Sequence, residues 1–155
     1  MNPHNLTWKI VSFKELSLEN LYAILQLRIA VFCVEQNCPY QDVDGKDLQA
    51  FHVMAFDTDN NLIAYARILP AGISYKEVSI GRIATSSKAR RTGMGKLLMK
   101  KCFEFIKNHF GNVPVKIGAQ AYLENFYKNF GFMVSGPPYL EDNIPHIEML
   151  FTSEF

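Results

Sequence analysis

The sequence predicts a layered α/β (α+β) fold in which helices cover a mixed sheet. Short apolar runs recur between polar clusters, and two longer stretches space their apolar residues three and four apart. Two of the runs are joined by a five-residue polar turn, Asp57-Thr58-Asp59-Asn60-Asn61, which makes an antiparallel hairpin. The hairpin and the irregular alternation exclude a doubly wound dinucleotide fold, which needs a regular parallel series.

Taken in order, Trp8-Lys9-Ile10-Val11 alternates weakly and forms a first strand. Ser17 is placed as a helix N-cap, with Leu16 and Leu21 spaced for a hydrophobic staple. Leu18, Leu21, Tyr22, Leu25, Ile29 and Phe32 give this helix its expected inner face and carry it to about Phe32. Cys38 to Leu48 is polar and holds Pro39 and Gly45, so it is a loop. Its Asp42, Asp44 and Asp47 are expected to be solvated, or else to attract a cationic amine.

Phe51 to Phe56 and Leu62 to Leu69 are the hairpin strands, and Val78 to Thr85 is a third run. From Gly93 onward Met94, Leu97, Leu98, Cys102, Phe105 and Ile106 mark one face of a second helix. Pro114 to Ala119 is another strand. Leu123, Phe126, Tyr127 and Phe130 form a short helix stopped by Gly131. Phe132 to Ser135 and Ile147 to Phe151 supply the last strands around a Gly136-Pro137-Pro138 loop.

Length and charge bound the function. The 155 residues suit one domain, 1–155, with its ordered part expected from about Thr7 to Phe151. Sixteen basic residues against fifteen acidic give a net charge of +1, without the basic excess that nucleic-acid binding needs. Met1-Asn2-Pro3-His4-Asn5 does not read as a signal peptide, and no run approaches the roughly 20 apolar residues of a membrane span. Cys33, Cys38 and Cys102 are odd in number and lack zinc-site pairing. They read as reduced thiols of a cytoplasmic protein with no metal. Exposed strand edges can pair, which makes a homodimer one arrangement open to this chain.

The most informative stretch runs from Ile83 to Lys96, after a strand and into a helix. Unpaired N–H groups at a helix start, backed by the helix dipole, form an anion site. Gly93 and Gly95 let backbone approach a phosphate, and Arg90, Arg91 and Lys96 add positive charge. A nucleotide P-loop is a poor match, because Arg90 stands at its first glycine and Leu97 at its hydroxyl position.

Arg90-x-x-Gly93-x-Gly95 resembles the coenzyme A pyrophosphate signature of the GNAT superfamily of N-acetyltransferases. Downstream, Phe126-Tyr127-x-x-x-Gly131-Phe132 looks like that family's second motif. Leu27-Arg28, Val31-Phe32, Val34-Glu35-Gln36, Pro39-Tyr40, Asp44-Gly45, Gly118-Ala119-Gln120 and Ile144-Pro145-His146 resemble its ElaA-like branch. The similarity covers nearly the whole chain. It implies a central mixed, mostly antiparallel sheet of about six to seven strands flanked by helices. It also implies transfer of an acetyl group from acetyl-coenzyme A to an amine of a small molecule or peptide, without a covalent acyl-enzyme.

The resemblance assigns roles. Ile83, Ala84 and Thr85 would offer backbone to the pantetheine arm, and Arg90, Arg91, Thr92, Gly93, Met94, Gly95 and Lys96 would cradle the pyrophosphate. Asn125 would touch the cofactor arm, and Tyr127 would protonate the leaving thiolate. Some family members carry a Glu as base before the phosphate loop, but Ser79 stands there in this chain. Glu35 is the expected substitute. Asp44, His52, Arg82 and His146 are the candidates for the acceptor pocket. A coenzyme A- or partner-binding module without catalysis and a nucleotide-phosphate binder remain the competing readings.

Overall fold

The computed structural model describes residues 5–152. Its elements are β1 (Thr7–Ser12), α1 (Leu18–Arg28), β2 (Phe51–Phe56), β3 (Leu62–Leu69), β4 (Val78–Thr85), α2 (Met94–Phe110), β5 (Val115–Gln120), α3 (Glu124–Lys128), β6 (Met133–Val134), β7 (Tyr139–Glu141) and β8 (Ile144–Phe151). The strands form one sheet in the order β1-β2-β3-β4-β5-β8-β6, with β7 also paired to β8. Every pairing is antiparallel except β4 with β5.

Eight strands stand where six to seven were expected, and β7 is the short strand that sequence alone did not find. Tyr139–Glu141 lies in the stretch assigned to a loop, and it turns into β8 through Asp142 (φ 49°) and Asn143 (φ 62°). Two successive left-handed residues are what a tight two-residue hairpin requires, and Asp and Asn tolerate them. In the β2–β3 hairpin, Asp57 Oδ1 accepts from the N–H of Asp59 and of Asn61.

α2 lies on one face of the sheet. Leu98, Met99, Cys102 and Ile106 pack there with Val53, Ala64, Ala66, Ile68, Ile80 and Ile117, all at 3% exposure or less. α1 covers the other face, where Ile24 and Leu27 meet Met54, Phe56, Tyr65 and Ala84. Each fully buried aliphatic side chain contributes about 1.5–3 kcal/mol, so these two layers hold the sheet between them.

The inner face of α1 differs from the expected one. Leu18 is 81% exposed and Tyr22 72% exposed, whereas Ile24, Leu27 and Arg28 point inward. The spacing of the helix was right; its orientation was missed because a charged residue occupies the buried stripe. Ser17 does cap the helix, its side chain accepting from the Asn20 N–H at 3.1 Å. Beyond Arg28 the helix widens into a π-helical turn, Ile29–Val34, closed by Glu35 N–H donating to Ala30 O. Such widened turns concentrate at functional sites.

Candidate active site

The sheet opens at its centre. β4 and β5 pair only at Val78↔Val115 and Ser79↔Lys116, after which β5 stays with β8 while β4 runs on against β3 alone. The divergence coincides with an extra residue in β4: Tyr65 opposes Ala84, yet Arg67, two residues on, opposes Gly81, three residues back. The extra residue is a bulge at Arg82, whose backbone takes a left-handed φ of 52°. A non-glycine residue pays roughly 1–2 kcal/mol for that conformation. Here the side chain is anchored: Arg82 Nε donates to Asp42 Oδ1 at 2.8 Å, and the guanidinium lies 5.6 Å from the Tyr40 ring centre.

The result is a cleft of about 980 Å³ that runs between β4 and β5 to the start of α2. From Ile80 to Thr85 the β4 edge facing the cleft has no partner strand.

At the α2 end, the first bonds into the helix are from Lys96 and Leu97 N–H to Gly93 O. The N–H groups of Met94 and Gly95 thus have no acceptor within the helix. Gly93 turns the chain at φ 84°, with open space where a Cβ would lie, so its role is conformational. Gly95 differs, since a Cβ there would lie 3.4 Å from Phe126 on α3. Arg90, Arg91 and Lys96 line this end. Thr92 does not line it; its hydroxyl donates to Ala89 O at 2.6 Å and braces the loop. Asn125 is exposed on α3, next to Phe126, which lines the cleft.

The strand registers assign the remaining residues to faces. Leu69↔Ser79, Arg67↔Gly81, Ser79↔Lys116, Gly118↔Glu148 and Gln120↔His146 are cross-strand pairs, so all these side chains share the α1 face. Tyr127 reaches the cleft from the opposite face, within the cluster that packs on α2. Its ring is 5% exposed, its hydroxyl has no hydrogen-bond partner among the described residues, and burial pushes its pKa well above the usual phenol range.

Glu35 lines the cleft, and its carboxylate pairs with Arg90 in the loop before α2. The next residue, Gln36, exchanges amide hydrogen bonds with Gln120 across the opening, at 3.1 and 3.5 Å. On β8, His146 Nδ1 lies 2.7 Å from Ile144 O, so Nδ1 carries the proton and Nε2 is turned toward Glu141. Glu141 Oε2 is 3.4 Å from that Nε2.

The aspartates of the acidic loop are not free, and two of them are not solvated; Asp44 stays exposed. Asp42 and Asp47 are buried, and three arginines neutralise the three aspartates. Arg28 Nε meets Asp42 at 2.9 Å and its Nη1 meets Asp47 at 2.7 Å. Arg67 Nη1 bridges Asp44 at 2.7 Å and Asp47 at 3.0 Å, and Arg82 Nη2 reaches Asp44 at 3.4 Å. Burial alone would raise the Asp44 pKa, but Arg67 outweighs it and holds the carboxyl down at about 2. His52 belongs to this framework and not to the cleft. It is 0% exposed, its Nε2 donates to Asp47 O at 3.0 Å, and its Nδ1 accepts from Tyr65 Oη at 2.8 Å. Burial lowers its pKa and keeps it neutral. Sequence reasoning missed Arg67 altogether; its only signal is a charge inside an apolar strand, which a buried counter-charge must answer.

A sheet splayed beside a bulged strand, with unpaired N–H groups at the start of the helix that follows, is the architecture of the acyltransferase fold seen in similar solved structures. The acetyltransferase (GNAT) domain profile matches residues 23–153, and the chain belongs to that family. Within it, the chain is 47% identical over 146 residues to the protein ElaA of Escherichia coli K12, covering 93% of this chain and 95% of ElaA. The crystal structure of E. coli ElaA superposes with a TM-score of 0.88 at 45% identity, over 94% of this chain and 99% of that one. An acyl-CoA N-acyltransferase from Pseudomonas aeruginosa gives a TM-score of 0.90 at 43% identity over the same shares. At 16% identity and a TM-score of 0.68, an aminoglycoside 6'-N-acetyltransferase solved in complex with coenzyme A shares the fold, over 93% of this chain and 96% of that one. No helix among the described residues is long and apolar enough to cross a membrane.

Proposed function

We propose that this chain is an N-acyltransferase that moves the acetyl group of acetyl-coenzyme A to the amine of a small molecule or peptide by direct transfer in a ternary complex. The observation that carries this reading is Tyr127, a buried phenol whose hydroxyl has no hydrogen-bond partner among the described residues and which lines the cleft on the face opposite His146. That arrangement provides a proton donor on one side of the opening and an acceptor on the other.

Bound acetyl-coenzyme A supplies the activated acyl group as a thioester. The open edge of β4 offers its N–H and C=O groups from Ile80 to Thr85 to an extended arm, as an added strand would use them. The N–H groups of Met94 and Gly95, with Arg90, Arg91 and Lys96, hold the phosphates. Tyr127 stays protonated near neutral pH and donates to the departing sulfur. Ser79, which lines the cleft on the acceptor face, carries no basic group. We therefore assign the base to His146 rather than Glu35: its Nε2 takes the proton of the incoming amine, and Glu141 steadies the resulting cation.

Direct transfer is supported by the thiols. Burial pushes the Cys102 pKa far up, and burial together with the Asp142 charge raises that of Cys38, which disfavours a thiolate nucleophile. We place the reaction in the cytoplasm, in keeping with the free thiols at Cys33, Cys38 and Cys102. The test is thiol release from acetyl-coenzyme A across a panel of amines, in the parent chain and in Cys33→Ala, Cys38→Ala and Cys102→Ala. Amine-dependent release in all four proteins is expected. Loss of turnover in a folded cysteine variant would indicate a covalent route. Coenzyme A binding with no release to any amine would favour the non-catalytic module.

A further inference from the structure

We infer that the acceptor face of the cleft is built for an amine that also carries a carboxylate, as a free amino acid does. The inference deepens the acyltransferase reading above and rests on it. It starts from the pairing of charges on the α1 face. Arg28, Arg67 and Arg82 are consumed by Asp42, Asp44 and Asp47, and Lys116 holds Glu148 at 2.8 Å. Lys46 is different. It lines the cleft, half-buried, with Nζ donating to Ser74 Oγ at 2.9 Å and with no carboxylate in ion-pair range among the described residues.

An ammonium group has three donors, and Ser74 uses one. The serine hydroxyl fixes the direction of the charge without neutralising it. Lys46 is thus a directed cation on the cleft wall with no carboxylate partner among the described residues, while the aspartates of the neighbouring loop are already engaged by arginine.

Elsewhere in the same cleft the character is the opposite. His146 Nε2 and Glu141 form an acceptor pair suited to an ammonium group that is about to lose its proton. An acceptor with an amine at His146 and a carboxylate at Lys46 answers both poles. A simple monoamine leaves Lys46 unpaired, and a diamine or polyamine places a second cation against it.

The test measures thiol release from acetyl-coenzyme A with matched acceptors: an amino acid, its amide and its decarboxylated amine, each for small, aliphatic and aromatic side chains. The expected result is a kcat/KM for the amino acid at least about tenfold above that of its amide, expressed in KM, as for one charge-assisted contact. Lys46→Met should abolish that preference while acetyl-coenzyme A binding persists, and Lys46→Arg should retain it. Equal or better turnover of the amides, or a preference that survives Lys46→Met, overturns the inference and leaves the acyltransferase reading intact. Absence of acetyl-coenzyme A binding, or of release to any acceptor, counts against both.

Discussion

Arg28 on α1 and Asp47 in the loop before β2 meet at 2.7 Å with both side chains buried, and this pair joins the helix to the loop that walls the acceptor face. Removing one partner of a buried ion pair strands the other charge, at a cost of about 3–5 kcal/mol. Arg28→Ala is therefore expected to lower the unfolding free energy by about that much in urea denaturation. A loss below about 1 kcal/mol would mean that the pair does not hold the loop.

The same framework sets the acid limit of the fold. The folded Asp44 pKa of about 2 lies below the value of about 3.9 expected in the unfolded chain, and that of Asp47 is lowered as well. A depressed carboxyl contributes stability above its unfolded pKa and loses it as pH falls through its folded pKa. Urea midpoints should be level near neutrality and drop between about pH 4 and pH 2. A flat profile across that window would exclude this contribution.

Gly93 permits a test of the loop by backbone geometry alone. Nothing occupies the space of a Cβ there, but φ is 84°. Gly93→Ala should cost about 1 kcal/mol in stability through strain and should weaken acetyl-coenzyme A binding by turning the Met94 and Gly95 N–H groups away. Unchanged affinity in a protein that is destabilised to that extent would detach the loop from the ligand.

Tyr127 carries the chemistry in this account. Tyr127→Phe keeps the ring among its neighbours and removes only the hydroxyl, so turnover should fall about 10²-fold while acetyl-coenzyme A affinity holds. A kcat equal to that of the parent chain would take Tyr127 out of the reaction.

Much of this was legible in the sequence, for identifiable reasons. The β2–β3 hairpin, β4 and α2 follow from local alternation and turn chemistry, and their observed bounds fall close to the expected ones. Gly93 and Gly95 marked the turn into α2 because their spacing encodes a local conformation, and Gly93 takes a φ of 84°. What escaped was long-range. The orientation of α1 depends on Arg28 finding Asp42 and Asp47 across 14 and 19 residues, and no local pattern reveals a charge that will be neutralised inside. For the same reason Asp42 and Asp47 looked solvated, His52 looked like a site residue, and no local pattern pointed to the pairing of Glu35 with Arg90, 55 residues away.

The most direct test is a thermal shift with acetyl-coenzyme A, coenzyme A and ATP, each at about 100 times a micromolar dissociation constant. Binding at that excess adds about 2.7 kcal/mol to the folded state, which corresponds to a rise of several degrees for a chain of this size. That rise is expected with both coenzyme A species, and none is expected with ATP. No shift with either coenzyme A species would contradict it, because the cleft between β4 and β5 and the loop from Arg90 to Lys96 would then have another use.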